Sequence, residues 1–328
     1  VPLLSAATAD YLDYRILAAF RENTVRNDKH ALSRLYKSTG DIQLSKITPA
    51  SIDDLLGGML KSREYAIGTI NATHSSLSAF FRWCRTRGHV LPSHDPLAGR
   101  RYIPTPPVGR LYIPLHEFPV VLDAATKPRD RALIAAGFYT LCRQSELVTL
   151  RVRDLDLGSG RLSVLLHKTY GSDEMPVSAE FDEEMRLWLL AYQEEVGRPL
   201  DPDWLLFPAM ATSGYKEFKL APTSKISRSS TIVRRVLESA GYEDKRLGVH
   251  TLRRSSARAL FDELSGSGYD GSLRLVSSML HHSSTVTTEK YLSLDLDKER
   301  RNEKFQGASL FPSLRTDNIV PIRKPRSA

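Results

Sequence analysis

His250-Thr251-Leu252-Arg253, then Leu280-His281-His282-Ser283-Ser284 and Thr287-Thr288-Glu289-Lys290-Tyr291, bring two imidazole positions, a guanidinium and a phenol into one C-terminal region. A guanidinium fits the two non-bridging oxygens of a phosphodiester through paired N–H donors. A phenol becomes a nucleophile once another group takes its proton. Together these groups point to covalent chemistry on a nucleic-acid backbone. A helical His-x-x-Arg alone is commonly a surface or capping pair, so the reading rests on the whole set.

Two cations upstream extend that set. The run Phe138-Tyr139-Thr140-Leu141-Cys142-Arg143-Gln144-Ser145-Glu146-Leu147 supplies Arg143, with Glu146 as a structural partner for nearby positive charge. Leu162, Val164 and Leu166 alternate as a strand, Tyr170-Gly171-Ser172-Asp173 reads as a turn and Met175 to Val177 as the return strand, placing Lys168 near a hairpin tip. No other lysine lies between Lys127 and Lys216.

The elements that must carry these residues are mostly helical. From about Thr8 to Arg87 the pattern is helical, broken at Ser38 to Asp41, at Thr48-Pro49 and around Lys61 to Ala66, which predicts a four-helix unit. Ile70, Leu77, Phe80, Phe81 and Cys84 recur at core spacing, with Arg82, Arg85 and Arg87 on neighbouring faces, where they meet either phosphates or solvent. Gly99 to Gly109 is proline-rich and short of apolar periodicity, so it reads as an extended linker; Arg100, Arg101 and Arg110 there are candidates to track a phosphate backbone. Beyond it, helices are expected over Pro114 to Ala125, Asp130 to Leu141, Phe181 to Tyr192, Ser229 to Ala240, Leu252 to Leu264 and Leu273 to Leu280. The fold class is therefore mainly α: an N-terminal helical domain (1–98), a basic linker (99–113), a mostly helical catalytic domain with one small antiparallel sheet (114–298) and a C-terminal tail (299–328).

Composition narrows the partners. The 328 residues suffice for two cores, and 46 Lys plus Arg against 38 Asp plus Glu give a formal charge of +8, which favours a polyanion. No long apolar run, basic amphipathic anchor or secretory start is visible, so no membrane partner is expected and the chain reads as cytoplasmic. Cys84 and Cys142 are far apart and are expected as buried thiols rather than as a disulfide or zinc site. A zinc site of His250, His281 and His282 lacks a cysteine or matched carboxylate beside it, so no metal and no cofactor is expected.

The order Arg143, Lys168, His250-x-x-Arg253, His282, Tyr291 resembles the tyrosine recombinase (phage integrase) family, in which an Arg-x-Ser-Glu-Leu segment supplies the first arginine. The resemblance covers essentially the whole chain, in the N-terminal half by helical pattern only. It implies Arg143, Lys168, His250, Arg253, His282 and Tyr291 as catalytic residues, with Tyr291 the nucleophile nine residues after His282. The family usually has glycine two positions before the first arginine and again just before the second histidine; this chain has Leu141 and His281, whose larger side chains are expected to shift the local backbone. His281 also competes with His282 for the second histidine place, and the spacing to Tyr291 and the following Ser283-Ser284 favour His282.

The chemistry follows from the groups. Arg143 and Arg253 neutralise charge that builds in a pentacoordinate transition state, His250 accepts the proton of Tyr291, and His282 donates to a non-bridging oxygen or holds the site in shape. The resemblance implies that Lys168 protonates the departing 5′ oxygen. It further implies double-stranded DNA recombination sites as partners, a homotetramer on two such sites, accessory DNA-bending or directionality proteins, and a phage or mobile-element setting near the nucleoid. Leu310 and Phe311 in the tail are the expected anchor on a neighbouring protomer, and no arm-type DNA-binding domain is expected ahead of the first helix. A type IB topoisomerase-like enzyme and an inactive DNA-binding regulator of the same fold stand as alternatives.

Overall fold

The computed structural model describes residues 1–105, 111–166, 171–212, 218–244, 246–264 and 268–294. The chain divides into two compact units, Val1–Pro107 and Val108–Ala328. Lys168, Arg110 and the tail residues Leu310 and Phe311 lie outside the described residues.

The first unit is built from α1 (Leu4–Leu17), α2 (Glu22–Thr39), α3 (Pro49–Ser62) and α4 (Ile67–Thr86). α1 starts four residues before the expected Thr8, because Leu4 and Ala7 already belong to its buried face. α3 opens where Thr48 accepts from the Ser51 amide with Pro49 in the first turn, and it buries Ile52, Leu55, Leu56 and Met59 at one-face spacing. α4 buries Ile70, Leu77, Phe80, Phe81 and Cys84, and Phe80 meets Tyr11 of α1 edge-on at 5.3 Å between ring centres. The first part of the stretch read as linker is fastened to this unit. The Asn71 side chain exchanges two 2.9 Å hydrogen bonds with the Ile103 backbone, and Arg100 pairs with Asp53.

The second unit wraps helices around α6 (Pro128–Tyr139), whose residues Ala132 to Phe138 are buried on every side. α5 (Phe118–Asp123), α8 (Ala179–Val196) and α10 (Val249–Glu263) pack on it. At Gly137 an added Cβ would stand 3.1 Å from Leu252 Cδ1, so the glycine sets how closely α10 approaches. α9 (Ser229–Ser239) covers another side, and α11 (Tyr269–Met279) and α12 (Thr285–Leu292) pack with α10 around a separate apolar cluster that includes Leu141, Phe261, Val276 and Leu280.

Three strands, β1 (Leu155–Asp156), β2 (Arg161–Leu166) and β3 (Gly171–Pro176), form an antiparallel sheet in that order. Leu162, Val164 and Leu166 point inward as expected. Gly171, Ser172 and Asp173 are not turn residues, however: they pair with Leu166, Leu165 and Val164. β3 is an edge strand, where polar side chains cost little, so composition gave a false turn signal. A second sheet, β4 (Pro208–Thr212) with β5 (Phe218–Lys225), was not expected. Its prolines and mixed polarity hide the period of two, and both strands are edges, which tolerate proline.

Candidate active site

α6 stops at Tyr139 rather than running through Leu141, because Leu141 turns left-handed with φ 51°. That turn delivers Arg143 to the start of α7 (Gln144–Leu147). Glu146, 1% exposed, accepts from the Arg143 backbone amide at 2.6 Å and from its Nη1 at 2.9 Å, and lies 4.0 Å from Arg253 Nη1. A carboxylate so buried is tolerable only with such partners.

Arg253, one turn into α10, is 3% exposed. Its Nη1 donates to the Leu141 carbonyl and its Nη2 to the Leu280 carbonyl at 2.7 Å, while Arg143 Nη2 also donates to Leu280 at 3.2 Å. One carbonyl therefore gathers both guanidinium groups. Burial, reinforced by Arg143, holds the Arg253 pKa below the usual arginine value, and the attraction of Tyr291 and Glu146 opposes it; a guanidinium remains protonated at any working pH regardless.

The residue after Leu280 is the second left-handed corner, His281 with φ 49°. Leu141 and His281 thus keep the backbone that glycine adopts freely, instead of shifting it, at a cost of about 1 kcal/mol each. Leu141 offsets its strain by burying its side chain. The His281 ring turns toward β3, with Nδ1 3.6 Å from Asp173 Oδ2, and burial lowers its pKa.

His282 faces the other way. Its Nδ1 lies 2.9 Å from Oγ1 of the buried Thr288, and its ring meets Tyr291 edge-on at 5.5 Å. Tyr291, on α12, donates to the His250 backbone carbonyl at 3.3 Å, and the Arg254 guanidinium lies 5.3 Å from its ring centre. His250 itself is exposed in the first turn of α10. Arg143, Arg253, His282 and Tyr291 therefore lie around one junction, which the His250 backbone carbonyl joins through Tyr291. Sequence reasoning missed Thr288, Arg254 and the carbonyls of Leu141 and Leu280; the two displaced glycine positions were the available signal for the carbonyls. The nearby Cys142 is buried, and burial pushes its thiol up to about 12.

The arginines expected to meet phosphates divide. Arg82 and Arg101 are exposed. Arg85 instead donates to the His94 carbonyl at 3.1 Å and pairs with Asp95 at 3.2 Å, Arg100 pairs with Asp53, and Arg87 lies over the Tyr14 ring. Arg85 and Arg100 fasten the segments that follow α4.

Comparison with known proteins places this arrangement. The family model described as the phage integrase family matches residues 114–298. The chain belongs to that family. Among phage integrase relatives, a tyrosine recombinase of Synechococcus elongatus is 27% identical over 243 residues, covering 71% of this chain and 69% of the relative. The tyrosine recombinase XerC of Xanthomonas axonopodis pv. citri is 29% identical over 226 residues, covering 67% of this chain and 66% of the relative. A lambda integrase dimer bound to a COC′ core site shares the fold, with a TM-score of 0.66 at 19% identity over 88% of this chain and 95% of that one. The XerH recombinase in a post-cleavage complex with a palindromic difH substrate does so at a TM-score of 0.64 and 19% identity, covering 85% and 78%. No helix among the described residues is long and apolar enough to cross a membrane.

Proposed function

We propose that this phage integrase family member is a site-specific DNA recombinase that cuts and rejoins strands through Tyr291. The observation that carries the reading is the junction at Leu280: its carbonyl holds Arg143 and Arg253 together beside the turn that presents His282 to Tyr291. Two guanidinium groups so held are fixed in place before any phosphate arrives, and preorganised charge of this kind is a large source of rate enhancement.

In the first step the Tyr291 oxygen attacks a DNA phosphorus and its proton passes to His250. The bond from phosphorus to the 5′ oxygen breaks, and that oxygen takes a proton from Lys168. A 3′-phosphotyrosyl linkage and a free 5′ hydroxyl result. A 5′ hydroxyl from a second duplex then attacks the same phosphorus and gives its proton to Lys168, the bond from phosphorus to the Tyr291 oxygen breaks as that oxygen takes back the proton held by His250, and the DNA backbone is restored with the bond energy conserved throughout. Arg143 and Arg253 bind the non-bridging oxygens and His282 supports one of them.

The partners in this reading are two double-stranded sites held by four protomers, with the segment after Gln306 reaching a neighbour through Leu310 and Phe311. Likeness to lambda integrase, seen elsewhere as a tetramer on a Holliday junction, supports that assembly. Tyr291→Phe removes one hydroxyl and should abolish covalent trapping of DNA while leaving noncovalent binding within ~2-fold. Equal trapping by the variant would overturn the assignment.

A further inference from the structure

His281 takes no part in the steps above, yet it touches two regions of the site at once. The carbonyl immediately before it, on Leu280, receives both arginines. Its own backbone is held in the left-handed region, where a non-glycine side chain is strained. Its ring leaves that corner for the sheet, reaching 3.6 Å from the carboxylate of Asp173, which pairs with Val164 across the β2–β3 ladder. Strain held beside a reactive centre, with the side chain spent on one contact, is the pattern of a residue whose contact matters to the site rather than to the fold.

We infer that His281 is a positioning residue, with Asp173 as its partner, that tethers the β2–β3 hairpin to the two-arginine turn. The inference rests on the recombinase reading, since Lys168 lies between β2 and β3 in the sequence and is the leaving-group acid there. The separation exceeds a hydrogen bond, so the contact is the attraction of a polar ring for a carboxylate rather than a charge pair. Burial, helped by Arg253 and Arg143, holds the ring's pKa below the usual histidine value against the opposing pull of Asp173 and Glu146, so at neutral pH it is the uncharged ring that faces the carboxylate. Such a half-exposed contact adds little to stability. It can still govern rate, because an acid works only when it stands within reach of the departing oxygen, and small misplacements are costly in rate.

Two variants separate this role from plain support. His281→Gly removes the ring but suits the left-handed backbone, so the Leu280 carbonyl stays in place and the fold is not weakened. Asp173→Asn keeps shape and removes charge. In the free full-length protein, hydrogen exchange at Gly171–Pro176 should speed up by ~3-fold or more in each variant if the tether is real. Cleavage is then followed on a nicked duplex carrying the site recovered by sequencing wild-type adducts, with either oxygen or sulfur at the 5′ bridging position. A thiolate leaves without a proton, so it bypasses the acid. The expected result is ~10-fold slower cleavage of the oxygen substrate in each variant, ~2-fold or less on the sulfur substrate, and a double variant no slower than either single one. Equal slowing on both substrates, or additive effects, would overturn the positioning role. Unchanged exchange in both variants would overturn the tether itself, whereas a wild-type protein that forms no adduct would overturn the recombinase reading beneath it.

Discussion

At the residue scale the site is an exercise in concentrating positive charge without letting it come apart. Arg143 and Arg253 are like charges held close, and between them they donate to one buried carboxylate and two backbone carbonyls. Glu146 is the one negative side chain seen among these bonds, so Glu146→Ala should destabilise the second unit by ~3–5 kcal/mol, with Glu146→Gln costing less, measured as shifts in urea unfolding. A loss under ~1 kcal/mol in the alanine variant would mean the arginines do not depend on it. The family resemblance named Arg143, Arg253, His282 and Tyr291 as candidates, which the fold brings near one another, and Glu146 was legible as the partner of a cation. The carbonyl acceptors were not legible, because every residue has one and only the folded turns decide where it points.

At the element scale, helices came out of apolar spacing and cap residues, and the misses fall where a different force decided. The end of α6 at Tyr139 is set by the left-handed Leu141, which no propensity foretells for leucine. The β4–β5 sheet is set by ladder pairing between strands without alternation. Close approach of α6 and α10 depends on Gly137. Gly137→Ala should therefore change stability by no more than ~1 kcal/mol, as helix propensity offsets the contact with Leu252, while slowing adduct formation by ~10-fold through displacement of His250 and Arg253. Activity and stability falling in proportion would argue against that role for the helix contact. In the first unit, His74 of α4 is 7% exposed, neither ring nitrogen has a hydrogen-bond partner, and burial lowers its pKa from 6.5. Above 6.5 both folded and unfolded chains keep it neutral. As pH falls below 6.5 the unfolded chain takes up a proton that the folded one resists, so stability falls until the lowered folded value is passed. His74→Leu should flatten that acid limb in thermal melts from pH 7 to 5, and an unchanged limb would remove His74 from the cause.

At the scale of the whole molecule, the chain divides into two compact units, Val1–Pro107 and Val108–Ala328, and the formal charge of +8 was legible in the composition. Which arginines are available was not, since Arg85 and Arg100 carry the same charge in the sequence as Arg82 and Arg101 but are engaged with carboxylates. Arg82→Ala and Arg101→Ala should each lower the slope of log affinity against log salt on duplex DNA by ~1 with little effect on melting, whereas Arg85→Ala and Arg100→Ala should lower melting temperature first. The reverse pattern would reassign the surface. Whether Tyr291 is the nucleophile is read by incubating the protein with fragmented DNA, digesting the covalent adduct with nuclease and protease, and identifying the modified residue by mass spectrometry. A 3′-phosphonucleotide is expected on Tyr291, and none in the Tyr291→Phe variant. An adduct on another residue, or its persistence in that variant, would contradict that role for Tyr291.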